Sequence, residues 1–291
     1  MKLAIDSYCY HRYFGEVYPG IQTDPGRRMT VWDFLKRARK HGVEGVSLES
    51  CYLPSFEDDF LLRLRDTLDE YGLERVWAWG HPDGLHSGTD RAAARDLVRH
   101  LDYARKIGAT VMRIVGGSWR SRPPSWAVHK RRLLTMLKGM VGEAEEHGVV
   151  LAIENHIDML GHQVADLITT VDSPWLGVCL DTGNNLRLFE DPLMVAGLLA
   201  PWARATHIKD ISVLPGDPKE FAFWPSVPLG DGLVDIAKVV GFLRQAGYDG
   251  LLAIEVDFLH PKYPDEDSAV AKSVNYLRSA LGRKGSRGKT R

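Results

Sequence analysis

Short apolar runs recur along the chain. Each is followed by polar residues and then by a longer stretch with helical spacing. Eight runs read as strands: KLAID (2–6), GVSLES (45–50), LERVWAWG (73–80), ATVMRIVGG (109–117), VVLAIEN (149–155), LGVCLDTG (176–183), ATHIKD (205–210) and LLAIEVD (251–257). They are apolar on both faces, as strands are when helices cover a parallel sheet. TVWDFLKRARKHG (30–42) reads as a helix, with Thr30 as its N-cap and Gly42 as its terminator. Further helices are expected over 58–72, 91–108, 124–148 and 231–247, each again stopping at glycine. Strand and helix alternating eight times over this length predict an α/β fold, a (β/α)8 TIM barrel. An open doubly wound sheet calls for a glycine fingerprint after the first strand, and the first turn reads DSYCYHRYFGEV instead. One barrel domain is expected over 1–281. The remainder, 282–291, is read as a basic, flexible tail.

Composition changes this picture little. The 291 residues are 44% hydrophobic and 26% charged, an ordinary globular balance. With 37 basic and 38 acidic side chains, no overall field draws in nucleic acid or an anionic membrane, and neither is expected as a partner. No apolar stretch is long enough to span a bilayer. Cys9, Cys51 and Cys179 form no paired spacing, which argues against a disulfide scaffold and for a cytoplasmic protein.

The chemistry is sought where such a barrel places it, at the C-terminal ends of the strands. Glu154 ends the fifth strand, Asp181 the sixth, His207 the seventh and Glu255 the eighth. LAI in LAIENH (151–156) is strand, and ENH is rim. Three carboxylates and an imidazole suit a hard or borderline divalent ion: manganese, magnesium, cobalt or zinc. Such an ion would polarise a carbonyl and stabilise an enediolate oxygen, while Glu154 or Glu255 moves a proton at the adjacent carbon. All four side chains must point inward for this to hold. Lys209 shares the face of His207 and could neutralise a carboxylate or a developing enolate, or pair with Asp210. Substrate contacts are expected from His156, Arg113, Asn184, Glu49, His81 and Trp224. Arg113 lies in an apolar run, where an unpaired charge is costly, so it either reaches the mouth or clamps an acid such as Glu49. His11 and Arg12 follow the first strand and read as local structure. The long connection 212–232 could close over the mouth through Phe223 or Trp224, and GDG (230–232) could be only a turn into the last helix.

Glu154-Asn-His, Asp181, His207-Ile-Lys-Asp and Glu255, on eight predicted strands, resemble the sugar phosphate isomerase/epimerase superfamily, the xylose isomerase-like TIM barrels. That group includes ketose 3-epimerases, inosose dehydratases and sugar-acid decarboxylases. The resemblance implies one divalent cation, most often Mn2+, held by Glu154, Asp181, His207 and Glu255. It also implies a small carbohydrate-like substrate and a homodimer or homotetramer. In the epimerases the two glutamates exchange the proton on opposite faces of an enediolate. Those enzymes carry a histidine three residues after the aspartate, where this chain has Asn184. The HxKD form is closer to inosose dehydratases, with Lys209 as an acid–base group. The leading expectation is a metal-dependent isomerase or epimerase of a polyhydroxy ketone. The alternatives are a dehydratase or decarboxylase of a keto-sugar, inosose or keto-sugar acid, and an AP-endonuclease-like nuclease.

Overall fold

The computed structural model describes residues 1–80, 83–213 and 225–283. Eight parallel strands close into a barrel: β1 (Lys2–Asp6), β2 (Gly45–Glu49), β3 (Glu74–Ala78), β4 (Val111–Ile114), β5 (Val150–Glu154), β6 (Leu176–Asp181), β7 (Ala203–Ile208) and β8 (Leu251–Ile254). Neighbours in sequence are neighbours in space, and β1 closes the ring against β8. All eight expected strands are present: β1 has the expected bounds, β7 begins two residues earlier and ends two earlier, and the others are trimmed at their ends.

Among the described residues, eight helices of two turns or more lie between and after the strands: α1 (Val31–His41), α2 (Asp58–Glu70), α3 (Arg91–Lys106), α4 (Trp126–His147), α5 (Gly161–Val171), α6 (Pro192–Leu199), α7 (Ile236–Gln245) and α8 (Glu266–Ala280), and a single short turn of helix spans His11–Phe14. α1 starts at the expected Thr30 cap, which accepts from the Asp33 N–H while the Asp33 carboxylate returns the contact, and it ends at left-handed Gly42. Three helices carry weak sequence signals. α6 is eight residues long and almost wholly apolar, so it shows no polar face, although Asp191 caps it and Pro192 opens it. α5 ends in β-branched residues, and α8 is only weakly amphipathic. α7 begins five residues later than expected. The intervening N–H groups of Gly230, Gly232 and Val234 are aimed at the Asp210 carboxylate and cannot start a helix there.

Two apolar layers result. Large residues pack between the strands and helices. Inside the barrel a second cluster is built from Ala4, Val76, Ala152, Cys179, Ala205, Leu251 and Ala253. These interior residues are mostly small, as the narrow bore requires.

One polar pair is buried between the turn after β5 and α4. Asp158 Oδ2 lies 3.5 Å from His129 Nε2, and neither atom has a hydrogen-bond partner among the described residues. Burial pushes the Asp158 carboxyl up to about 8 and His129 down to about 4. A carboxyl raised on folding stabilises fully below its unfolded value and loses that contribution as pH rises through about 8. The melting temperature should therefore fall between pH 5 and pH 9, and Asp158→Asn should flatten that fall. An unchanged slope in D158N would assign the dependence elsewhere.

Candidate active site

Strand alternation carries the interior one step further up. Ala4 leads to Asp6, Ser47 to Glu49, Val111 to Arg113, Ala152 to Glu154, Cys179 to Asp181, Ala205 to His207 and Ala253 to Glu255. Seven strands thus place an ionisable side chain at the same mouth, each of them buried. Asp181 is registered against His207 across β6 and β7, and Glu154 against Cys179 across β5 and β6.

The four expected ligand residues converge. Glu154, Asp181 and His207 each offer an atom within 4.8 Å of the others. Glu255 Oε2 is 3.4 Å from His207 Nδ1, and Glu154 Oε2 is 3.7 Å from it. The two glutamates are held differently. Glu154 accepts from Arg113 Nε at 2.6 Å and from Asn184 Nδ2 at 2.7 Å. Glu255 faces Lys209 Nζ at 2.6 Å. Lys209 also reaches Asp257 at 2.9 and 3.0 Å and Asp181 at 3.0 Å. Its expected partner Asp210 is not among these. A Cβ on Gly183 would lie 2.8 Å from the Lys209 stem, so this glycine leaves the lysine its path.

Asn155 explains the middle of Glu154-Asn-His. Its amide accepts from the Asp181 N–H and donates to the Asp181 carbonyl, both at 2.8 Å, and donates to Asn185 at 2.7 Å. The side chain thereby acts as an extra rung joining the ends of β5 and β6. His156 Nδ1 meets the Gly117 carbonyl at 3.0 Å, and the ring lines the cavity.

The electrostatics follow from crowding. Burial is the largest influence on Glu49, Glu154, Lys209 and Glu255. For Glu154 it is outweighed by Arg113, which holds the carboxyl well below its ordinary value. For Glu255 burial prevails over His207 and Lys209, and the carboxyl is held well above it. Burial with neighbouring Asp6 and Glu154 pushes Glu49 up to about 7 against the pull of Arg113. Lys209 is raised because Asp181, Asp257 and Glu255 outweigh its burial. Six buried carboxyl groups, on Asp6, Glu49, Glu154, Asp181, Glu255 and Asp257, meet three fixed cations, Arg113, Lys209 and the partly exposed Arg187. Such an excess needs protons or a further cation. Neither ring nitrogen of His207 has a hydrogen-bond partner among the described residues. An imidazole lone pair and several carboxylate oxygens around one point fit a divalent ion.

The surrounding cavity holds about 370 Å³, the size of a small-molecule site. Tyr8, Tyr18 and Glu16 form one wall, and Tyr8 donates to Glu16 at 2.9 Å.

The family model for xylose isomerase-like TIM barrels matches residues 35–280. The chain belongs to that family. Named enzymes are also similar to this chain. It is 28% identical over 52% of its length to the 3-oxo-isoapionate decarboxylase of Pectobacterium atrosepticum, and 32% identical over 62% to the 2-epi-5-epi-valiolone 7-phosphate 2-epimerase of an Actinoplanes species. The matches span 53% and 64% of those two proteins. It is 23% identical over 63% of its length to an inosose dehydratase of Lacticaseibacillus casei, covering 67% of that enzyme. In fold it superposes on the crystal structure of IOLI protein with a binding zinc atom at a TM-score of 0.73, with 16% identity, covering 98% of this chain and all of the other.

The remaining expected residues of this family member sort clearly. Arg113 clamps acids: besides Glu154, its Nη1 lies 3.4 Å from Glu49. It is thus occupied internally, although it lines the cavity. Asn184 is present and points at Glu154. His81, Phe223 and Trp224 lie outside the described residues, as do 214–222 of the long connection and 284–291 of the tail. His11 is structural, set between the Tyr8 carbonyl and Gln22. Arg12 pairs with Glu266. GDG is more than a turn, because Gly230 and Gly232 donate to Asp210, whose carboxylate accepts four backbone N–H bonds in all. Asp6, Asp257 and Arg187 were not among the expected site residues. Extending the same two-residue alternation from Ala4 and Glu255 finds the first two; no pattern marks Arg187.

Asp210→Ala should strand those four donors and cost on the order of 3 kcal/mol in chemical denaturation. A loss below about 0.5 kcal/mol would show that the loop is held by other contacts.

Proposed function

We propose that this chain is an enzyme acting on a small polyhydroxy ketone, with one divalent cation held by Glu154, Asp181, His207 and Glu255. When bound, that ion supplies polarisation of the substrate carbonyl and neutralises charge developing on its oxygen. We propose further that proton transfer is one-sided. Glu154 has both oxygens taken by Arg113 and Asn184 and is held ionised, so it binds and does not shuttle. Glu255 and Lys209 share the opposite side, 2.6 Å apart, and form the proton-moving pair. Asp257 holds Lys209 in place from behind. His156 and Tyr8 orient substrate hydroxyls from the cavity wall.

The difference between the two glutamates is the observation that carries this reading. Exchange of a proton between opposite faces of one carbon asks for two comparable glutamates. A decarboxylase or dehydratase needs a proton delivered, or a hydroxyl assisted, from one side only. The lyase reading, on a keto-sugar, inosose or keto-sugar acid, is therefore preferred to a 3-epimerase. The similarity to a decarboxylase and a dehydratase supports it. An aldose–ketose isomerase also needs one face only and is the second reading. The acid-rich cavity, whose three cations each face a carboxylate within it, counts against a nuclease. Manganese is the preferred ion, with magnesium, cobalt and zinc as substitutes. No helix among the described residues is long and apolar enough to cross a membrane. Free Cys9, Cys51 and Cys179 support placement in the cytoplasm.

Metal-stripped protein should be inactive and recover with Mn2+. NMR in D2O with ketoses, inososes and keto-sugar acids should show loss of carbon dioxide or water. Deuterium at the carbon beside the carbonyl with the carbon skeleton and oxygens conserved would instead establish the isomerase reading. Glu154→Gln should lose both metal binding and turnover. Lys209→Met should keep the metal while turnover drops at least about 100-fold. Full activity in K209M would remove the lysine from the mechanism.

A further inference from the structure

We infer that Asp6 is a positioning residue that selects which nitrogen of His207 receives the cation. This inference rests on the metal reading above. Asp6 ends β1 and is fully buried, as is His207. Asp6 Oδ1 accepts the Tyr8 N–H at 2.6 Å, which fixes the rotation of the carboxylate. Oδ2 is then directed at His207 Nε2, 3.5 Å away. Neither of those two atoms has a hydrogen-bond partner among the described residues. Leaving both unpaired in the interior is unfavourable, and closing the gap between them satisfies both.

The chemistry of the pair is directional. A neutral imidazole carries one N–H and one lone pair, and a carboxylate only accepts. Asp6 therefore calls for the hydrogen on Nε2. The lone pair falls on Nδ1, which faces Glu154 and Glu255 beside Asp181. A carboxylate behind a ligating histidine fixes its tautomer and raises its donor strength.

A competing arrangement exists on the same ring. Asp6, Glu49 and His207 also bring ligand atoms within 4.8 Å of one another. One imidazole lone pair serves only one of the two sides. The Nδ1 side offers three carboxylates and the Nε2 side two, one of which faces Arg113 Nη1 at 3.4 Å. The larger number of carboxylates, although Arg113 and Lys209 face all three, thus places the ion on the Nδ1 side and leaves Asp6 as the orienting group.

The test is Zn2+ titration calorimetry on metal-stripped protein, with the metal-free melting temperature as a folding control. Asp6→Asn keeps a carbonyl for the Tyr8 N–H but turns a donor toward Nε2. It should weaken Zn2+ binding about 10–100-fold with the melting temperature preserved, while E154Q abolishes binding. D6N binding like the wild type while E154Q fails would overturn the role of Asp6 and leave the metal reading standing. Binding lost in D6N and E49Q but kept in E154Q would place the ion in the other trio and overturn the inference. A wild type that binds no Zn2+ would overturn both. Should D6N fail to fold, long-range proton–nitrogen NMR of the zinc-loaded wild type decides. A proton on Nε2 of His207 supports the inference, and one on Nδ1 overturns it.

Discussion

The site depends on one constraint, the two-residue alternation of side chains inside a closed barrel. A bore narrow enough to be filled mostly by alanines, with a cysteine, a valine and a leucine, leaves room for seven longer polar side chains only where it opens. Every strand that places a small residue in the bore can place its next inward residue at the mouth. Shifting any strand by one residue would bury its large apolar face in the bore and turn its charge toward the helices. The packing that holds the fold together is therefore the same packing that aims the charges.

Concentrating charge in this way creates a debt that the mouth must settle locally. Arg113 settles it for Glu154 and Glu49, and Lys209 for Glu255, Asp257 and Asp181. What remains is an excess of carboxyl groups, visible as the raised values of Glu49 and Glu255. A divalent cation removes that excess without protons. The fixed cations also break the symmetry of the two glutamates. One becomes a clamped anion and the other the partner of a buried ammonium group. On the function proposed above, that asymmetry separates the reactions open to this barrel.

The barrel and the residues that meet at its mouth were readable because both arise from short-range periodicity. All eight strands, and Glu154, Asp181, His207 and Glu255 at their ends, follow from apolar runs and where they stop. What lay beyond reach depended on partners distant in sequence. Arg113 could be read as costly but not assigned to Glu154, 41 residues away. Lys209 was adjacent to Asp210, yet its partners come from β6 and the end of β8, while Asp210 organises residues 230–234 instead. Asn155 was placed at the rim with no role assigned, and it proves to be a rung between strands. Asp6 lay in plain view at the end of the first strand, and the alternation that found Glu255 finds it too.

The most direct test of the central claim is a crystal structure of the protein loaded with Mn2+, with anomalous diffraction to locate the ion. The account predicts a single peak bounded by Glu154, Asp181, His207 Nδ1 and Glu255, with Lys209 withdrawn toward Asp257. A peak elsewhere, or none at full Mn2+ concentration with Lys209 still bridging Asp181 and Glu255, would contradict it.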